Sequence, residues 1–274
     1  TPTEGPTASP SPPASPSTDP APSSTPAPDA LAWTQLPVTD GPPAREDHTL
    51  TLSGDGQLAY LFGGRSGNRS FDDIWRYDLA ADTWQQLSPE GTDPAGRFGH
   101  VAAWKDGVGL VVWSGQADAT TFFADIWAFD PDGIGWRRLG DNGAVPLARY
   151  GSCGDIGPDG RLWISHGFTH DEGRFADTRA YDFATESWSD ETPAEDVPVR
   201  RCLHDCLWTP DGRLLLYAGQ TTGAPAIGDM WHLAPEPGAW TQAAQPEPAP
   251  RQLYALARLG DRAFVFGGGA HDGR

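Results

Sequence analysis

Positive charge is scarce in this sequence. Its 274 residues carry 19 basic against 37 acidic side chains, and only Lys105 is a lysine, for a formal net charge of −18. Nucleic acid is a poor partner for such a chain, because its phosphates are neutralised by Lys and Arg. An anionic membrane surface is disfavoured for the same reason. The near-absence of lysine reads as a coding bias with no function attached. No transmembrane segment is present, and no charged stretch leads into a short apolar one, so no signal peptide is read either.

Aromatics, by contrast, make up 11% of the chain and include 12 Trp, enough for a sizeable core. They avoid residues 1–31, which are predominantly Pro, Ser, Thr and Ala with no Lys or Arg. That stretch cannot bury enough apolar surface to fold and is expected to be a disordered, semi-rigid spacer. Such spacers commonly follow an export signal or lipid anchor. The reading is a protein outside the cytoplasm, secreted or anchored upstream of residue 1; a cytoplasmic tail or an inter-domain linker is the alternative. Residues 32–274 form the second region.

This second region repeats. Arg45, Arg97, Arg149, Arg201 and Arg251 open successive units, Asp73, Asp125, Asp177 and Asp229 recur 52 residues apart, and so do Trp84, Trp136, Trp188 and Trp240. A fixed period of this size marks a repeat architecture. A glycine pair or its relic ends the second apolar run of each unit (Gly63-Gly64, Ser114-Gly115, His166-Gly167, Ala218-Gly219, Gly267-Gly268). Tyr77, Phe129, Tyr181 and Leu233 precede the closing Trp by a constant interval. A double glycine followed by a spaced Tyr and Trp resembles the kelch repeat, over nearly everything from Trp33 onward.

The physics agrees with the resemblance. Each unit reads as four short strands rich in β-branched and aromatic residues; in the first they fall near 49–53, 58–62, 74–78 and 83–87. Asp-Gly pairs (Asp55-Gly56, Asp106-Gly107, Asp159-Gly160, Asp211-Gly212) join the first two, as tight hairpins in which both positions tolerate positive φ. Four strands repeated around an axis make a β-propeller blade. The fold class is therefore all-β, a kelch-type propeller of four full repeats and a partial fifth. Trp33-Thr34-Gln35-Leu36 resembles a blade's last strand and is expected to close the ring against the fifth blade. The third strand of that blade would start near residue 281, so the sequence reads as incomplete, with total blade number open.

The three cysteines leave alternatives. Cys202 and Cys206 share one expected strand, ~13 Å apart, too far for the roughly 7 Å of a disulfide. Cys153 lies on the equivalent strand of the next blade and could reach one of them; three buried free thiols are the other outcome. With so few cysteines the redox compartment stays undetermined.

Within a blade, the loops joining strands two and three, and the connections between blades, share one face and are the longer set (65–71, 116–124, 168–176, 220–228, 88–96). Long loops on a rigid scaffold carry binding. On that face Arg45, Arg97, Arg149, Arg201 and Arg251 are expected to ring the channel mouth. A guanidinium ring points to an anionic ligand, a carboxylate peptide or acidic sugar, and some kelch domains bind acidic peptides in this way. Alternatively each arginine pairs with a carboxylate or carbonyl between blades. Arg65, Arg69, Phe122, Phe123, His170 and Asp171 are the non-repeated candidates for specificity.

Enzyme readings are weaker. His48, His100 and His204 follow their arginines by three positions and would suit copper or zinc, or simply pack as structural residues. Galactose oxidase-like kelch proteins use a Tyr-His pair, and iron-dependent specifier proteins a Glu-x3-Asp-x3-His run; neither occurs here. The sequence thus points to a non-catalytic module binding a protein or carbohydrate, with no cofactor. A copper oxidoreductase whose ligands lie outside these residues is the alternative, and a structural spacer without a soluble ligand is the third.

Overall fold

The computed structural model describes residues 34–36, 40–223, 226–236, 238–244 and 249–270. The expected spacer at 1–31 and Trp33 of the expected closing strand lie outside these residues; that expected strand's remaining residues, 34–36, are exposed and belong to no strand. Among the described residues every regular element is a strand, and no helix is long and apolar enough to cross a membrane.

Four antiparallel sheets follow one another, each ordered from the innermost strand outward as the chain runs. The first blade is Thr49–Leu52, Leu58–Phe62, Ile74–Asp78 and Thr83–Leu87. The second is Val101–Lys105, Gly109–Trp113, Ile126–Asp130 and Gly135–Arg138. The third is Cys153–Ile156, Leu162–Ser165, Thr178–Asp182 and Ser187–Asp190, with Asn142–Gly143 added in parallel outside it. The fourth is Asp205–Trp208, Leu214–Gln220, Ala226–Ala234 and Ala239–Gln242. A hairpin of Gln252–Leu259 and Arg262–Gly269 packs against the fourth as the partial fifth.

Alternation along the strands places apolar side chains on both faces of each blade, and the core lies between blades. Tyr60, Phe62 and Ile74 of the first blade meet Leu110, Val112, Phe129 and Trp136 of the second. Val101, Val111 and Trp113 of the second meet Ile164, Tyr181 and Trp188 of the third. Trp163 of the third meets Trp208, Leu216 and Trp240 of the fourth. The repeated Trp therefore faces the preceding blade: Trp136 lies 4.9 Å from the Phe62 ring and Trp188 5.5 Å from Trp113.

Two details of the repeat acquire a cause. The second glycine of each pair donates its N–H to the carbonyl of the next blade's arginine: Gly64 to Arg97, Gly115 to Arg149, Gly167 to Arg201, Gly219 to Arg251. Its φ is 93–117°, and a Cβ on Gly64 would sit 2.8 Å from His48 Cβ, so only glycine fits. The first position needs only a left-handed φ, which Ser114, His166 and Ala218 supply at 58–66°. Two residues after each arginine, Asp47, Gly99, Gly151, Leu203 and Leu253 are also left-handed. Each N–H here bonds to the previous blade's equivalent carbonyl, from Gly99 to Asp47 through Leu253 to Leu203, a backbone girdle that fixes blade to blade.

The Asp-Gly turns differ from expectation. Only the glycines (φ 70–78°) are left-handed. The aspartates stay at negative φ and use their carboxylates instead: Asp55 accepts from Ser53 Oγ and Gln57 N, Asp159 from Arg161 N. Cys153 and Cys206 form a disulfide between the innermost strands of the third and fourth blades, while Cys202 is a buried free thiol.

Candidate interaction face

The five arginines stand where the loops and inter-blade connections converge, but the structure corrects their orientation. Arg97, Arg149 and Arg201 are 0–1% exposed. Arg97 donates from Nη1 and Nη2 to both oxygens of Asp125 (2.7 and 3.1 Å), from Nη1 to the Ser114 carbonyl and from Nε to the Ala95 carbonyl. Arg149 does the same with Asp177, and Arg201 with Asp229. Arg45 grips Asp73 in the same way, with its side chain 2% exposed. Arg251 repeats the carbonyl contacts, to Ala249 and Gly267. The partner is thus the aspartate 28 residues later in the same blade, not one between blades. The buried guanidinium groups of Arg45, Arg97, Arg149 and Arg201 leave almost no donor for a solvent-borne anion; Arg251, with carbonyl contacts alone, is half-exposed.

Burial by itself would raise the Asp125 carboxyl; the hydrogen bonds and charge of Arg97, with Trp127 Nε1, more than offset it and hold it below its ordinary value. Asp73, Asp177 and Asp229 behave alike. Phe123 belongs to this apparatus. Phe71, Phe123 and Phe175 recur two residues before the aspartate and lie 3.9, 4.2 and 3.8 Å beneath the guanidinium carbons of Arg45, Arg97 and Arg149. Phe123 is therefore a repeat position, contrary to its reading as a non-repeated specificity residue.

Of the three predicted histidines, His100 and His204 face inward, whereas His48 is exposed. His100 is 5% exposed, its Nε2 is 2.8 Å from Thr49 Oγ1 of the preceding blade, and burial, with the charge of Arg97, lowers its pKa to about 3. His204 packs its ring edge 5.4 Å from His166 and is pushed well below its ordinary value, chiefly by burial. Among the described residues, no group of three or more His, Cys, Asp or Glu side chains is placed to hold a metal ion.

What remains accessible is a set of part-exposed rings and cations across the first three blades, joined through the buried ring of Phe98. Isolated backbone bridges pair the residue after each arginine with the residue after each glycine pair: Glu46 with Arg65, Phe98 with Gln116, Tyr150 with Phe168, Cys202 with Gln220. The backbone sets these positions and leaves their side chains free to differ. Arg65, 34% exposed, lies 4.5 Å over the Phe98 ring and pairs with Glu46 and Asp47. Phe98 meets the Tyr150 ring edge-on at 5.8 Å. His170, exposed at the tip of the hairpin Phe168–Thr169 and Gly173–Arg174, stacks edge-on with Phe168 (5.2 Å) and with Phe122 (5.6 Å) of the blade before. Arg174 lies 5.5 Å over Phe168 and binds Gln220 and Thr222 of the next blade.

Of the predicted specificity residues, Arg65, Phe122 and His170 belong to this track. Arg69 is exposed and stacks on Phe71 at 4.8 Å, and Asp171 is exposed beside His170. Phe98, Tyr150, Phe168 and Arg174 were not anticipated, although chemical variety at a position repeated in every blade was a usable signal. Tyr150 has its own device. A Cβ on Gly99 would lie 2.1 Å from Tyr150 Cδ2, so the bare glycine lets that ring lie flat.

A model of the KLHDC2/KLHL20/DRC7 Kelch-repeats domain matches residues 27–219. The chain belongs to this kelch-repeat family. Adagio-like protein 1 of Oryza sativa subsp. japonica is 28% identical to it over 260 residues, 86% of this chain and 41% of that protein. Adagio protein 3 of Arabidopsis thaliana is 26% identical, over 86% and 40% respectively. Multiple epidermal growth factor-like domains protein 8 of Homo sapiens is 28% identical over 80% of this chain and 8% of its own length. The kelch chain thus spans about two fifths of the Adagio proteins it matches.

Proposed function

We propose that this kelch domain is a protein-binding module whose partner seats on the track of Arg65, Tyr150, Phe168, His170 and Phe122, with Phe98 buried beneath it as support. The observation that carries this reading is that Arg65, Tyr150, Phe168 and Phe122, all half-exposed, and the exposed His170 lie across three blades on the long-loop face, braced by the buried Phe98 ring. Aromatic and Arg side chains are the residues that dominate interface energetics, being large, stiff and amphipathic. A rigid ring of blades presents them already ordered, which lowers the entropy cost of binding. The module serves the non-catalytic role expected from sequence, with protein rather than carbohydrate as ligand.

The test is comparative capture. Wild type, a face variant (Arg65→Ser/Phe122→Ser/His170→Ser) and an opposite-face control (Asp106→Asn/Asp132→Asn) are used as baits. A partner retained by the control and lost by the face variant supports the reading. A partner lost by the control and kept by the face variant refutes it. The domain is further proposed to act in an oxidising compartment, where an inter-blade disulfide persists; an entirely reduced thiol count in protein isolated under alkylating conditions would contradict that.

A further inference from the structure

Outward of Arg149, the connection carrying Val145 and Leu147 and the next connection, carrying Val197 and Arg200, enclose a groove of about 390 Å³ floored by Phe175 and Asp177 and rimmed by Arg179. The repeat shows that this lining is not an architectural requirement. The connections align as Asp93-Pro94-Ala95-Gly96, Val145-Pro146-Leu147-Ala148 and Val197-Pro198-Val199-Arg200, each ending at its buried arginine. The fold accepts Asp and Ala where the groove has Val and Leu. Yet Val145, Leu147 and Val199 are 38, 55 and 53% exposed, an uncompensated apolar display.

The cations break the repeat too. Position 179 is occupied by Trp in the other blades (Trp75, Trp127, Trp231), each donating to its aspartate; Arg179 replaces it and binds both Asp177 and Asp190. Arg200 stands where other blades have Gly96 and Ala148. It is exposed, donates Nη1 to the Arg174 carbonyl, and has no carboxylate within 4.0 Å among the described residues. Of the three arginines lining the groove, Arg149 and Arg179 are held by Asp177 and Asp190, which leaves Arg200 as its cation without a carboxylate partner, in a chain with a formal net charge of −18. Glu195 and Asp196 stand earlier on the same connection, just before Val197.

We propose that this groove receives a short peptide segment presenting one large aliphatic side chain beside one carboxylate. The aliphatic group fills the space between Leu147 and Val197, and the carboxylate takes the unengaged donors of Arg200 in the forked geometry a guanidinium favours. This deepens the protein-binding reading and rests on it, as a second anchor next to Arg174, which lies over Phe168 of the aromatic track.

The probe is the peptide Ser-Gly-Leu-Glu-Gly-Ser, titrated into the full chain with methyl-labelled Val and Leu and followed by NMR. Shifts confined to the Val145, Leu147 and Val197 methyls are expected. Weakening of roughly tenfold is expected with Arg200→Ala, and also when Glu of the peptide is replaced by Gln, as suits one charge-assisted hydrogen-bonded pair. Arg200 is exposed, so its replacement preserves folding, and Phe122→Ser, on a half-buried loop residue outside the groove, should leave the shifts unchanged. No methyl shift at millimolar peptide, equal binding of a Leu-Lys peptide, or unaltered affinity in Arg200→Ala would overturn the proposal. Partner capture separates the two readings. Loss through the aromatic variant with full retention by Arg200→Ala sinks the groove alone, whereas peptide binding in the groove without any track-dependent partner sinks the track.

Discussion

Arg97→Met tests the claim that the recurrent arginines hold the blades rather than a ligand. The substitution deletes five contacts at once: two hydrogen bonds to Asp125, one each to the Ser114 and Ala95 carbonyls, and the stacking on Phe123. Asp125 keeps only Trp127 Nε1 at 2.7 Å and becomes an uncompensated carboxylate in a site that already disfavours charge. Removing one partner of such a pair costs about 3–5 kcal/mol, a large share of the roughly 5–15 kcal/mol that stabilises a domain. Arg97→Lys, which keeps the charge and loses the fork, should cost about 2 kcal/mol. Arg97→Met/Asp125→Leu should recover much of the loss, because an apolar pair of similar volume replaces an ion pair without leaving a buried charge. Urea unfolding followed by tryptophan fluorescence measures the three variants against wild type. If Arg97→Met costs under about 1 kcal/mol, the magnitude of an exposed pair, the arginine is solvated and the argument fails.

Other consequences are equally open to measurement. Asp205 is buried between the fourth blade and the partial fifth, where it accepts from Cys206 N and Leu256 N, and burial raises its carboxyl to about 7. A group raised in the folded state stabilises fully below its unfolded value and loses that contribution as pH climbs through about 7. Asp205→Asn should therefore flatten the fall in Tm between pH 5 and pH 8, and an unchanged profile would refute the assignment. The pH dependence from Asp125 runs the other way: its folded value is depressed, so its contribution is present above the ordinary carboxylate range and fades as pH falls below it. Cys206→Ser opens a bridge of sequence separation 53 and should cost about 4 kcal/mol in the chain-entropy account; native protein unfolded without reductant should titrate one thiol, Cys202. Gly99→Ala should displace the Tyr150 ring and weaken partner binding, with altered near-ultraviolet circular dichroism as its signature.

How much was legible beforehand depended on whether a feature repeats. Glycine pair, Asp-Gly turn and closing Trp recur because every blade needs the same hydrogen bond, turn or inter-blade contact, so the period announced the propeller and its strands. The Arg–Asp pairing was written in the same period, as two opposite charges 28 residues apart; the arginines alone were compatible with an open ring or with pairing to a carboxylate or carbonyl, and the structure shows them sealed by aspartates, carbonyls and packed phenylalanines. Phe123 was misread as unique because Phe122 beside it is unique, although Phe71 and Phe175 stand at its repeat positions. The aromatic track resisted prediction for a different reason. His170 and Phe122 occupy non-equivalent places on two hairpins, and their contact exists only once adjacent blades are set side by side by the backbone girdle. The cysteine pairing turned on the same inter-blade register: Cys153 and Cys206 approach to a Cα separation of 5.5 Å across it.

The most direct measurement is hydrogen–deuterium exchange of the kelch domain with and without its captured protein partner. The account predicts slowed exchange in segments 65–70, 116–123 and 168–174, with the Asp-Gly turns at 55–56, 106–107, 159–160 and 211–212 unchanged. Protection concentrated at those turns, with the aromatic track exchanging freely, would contradict it.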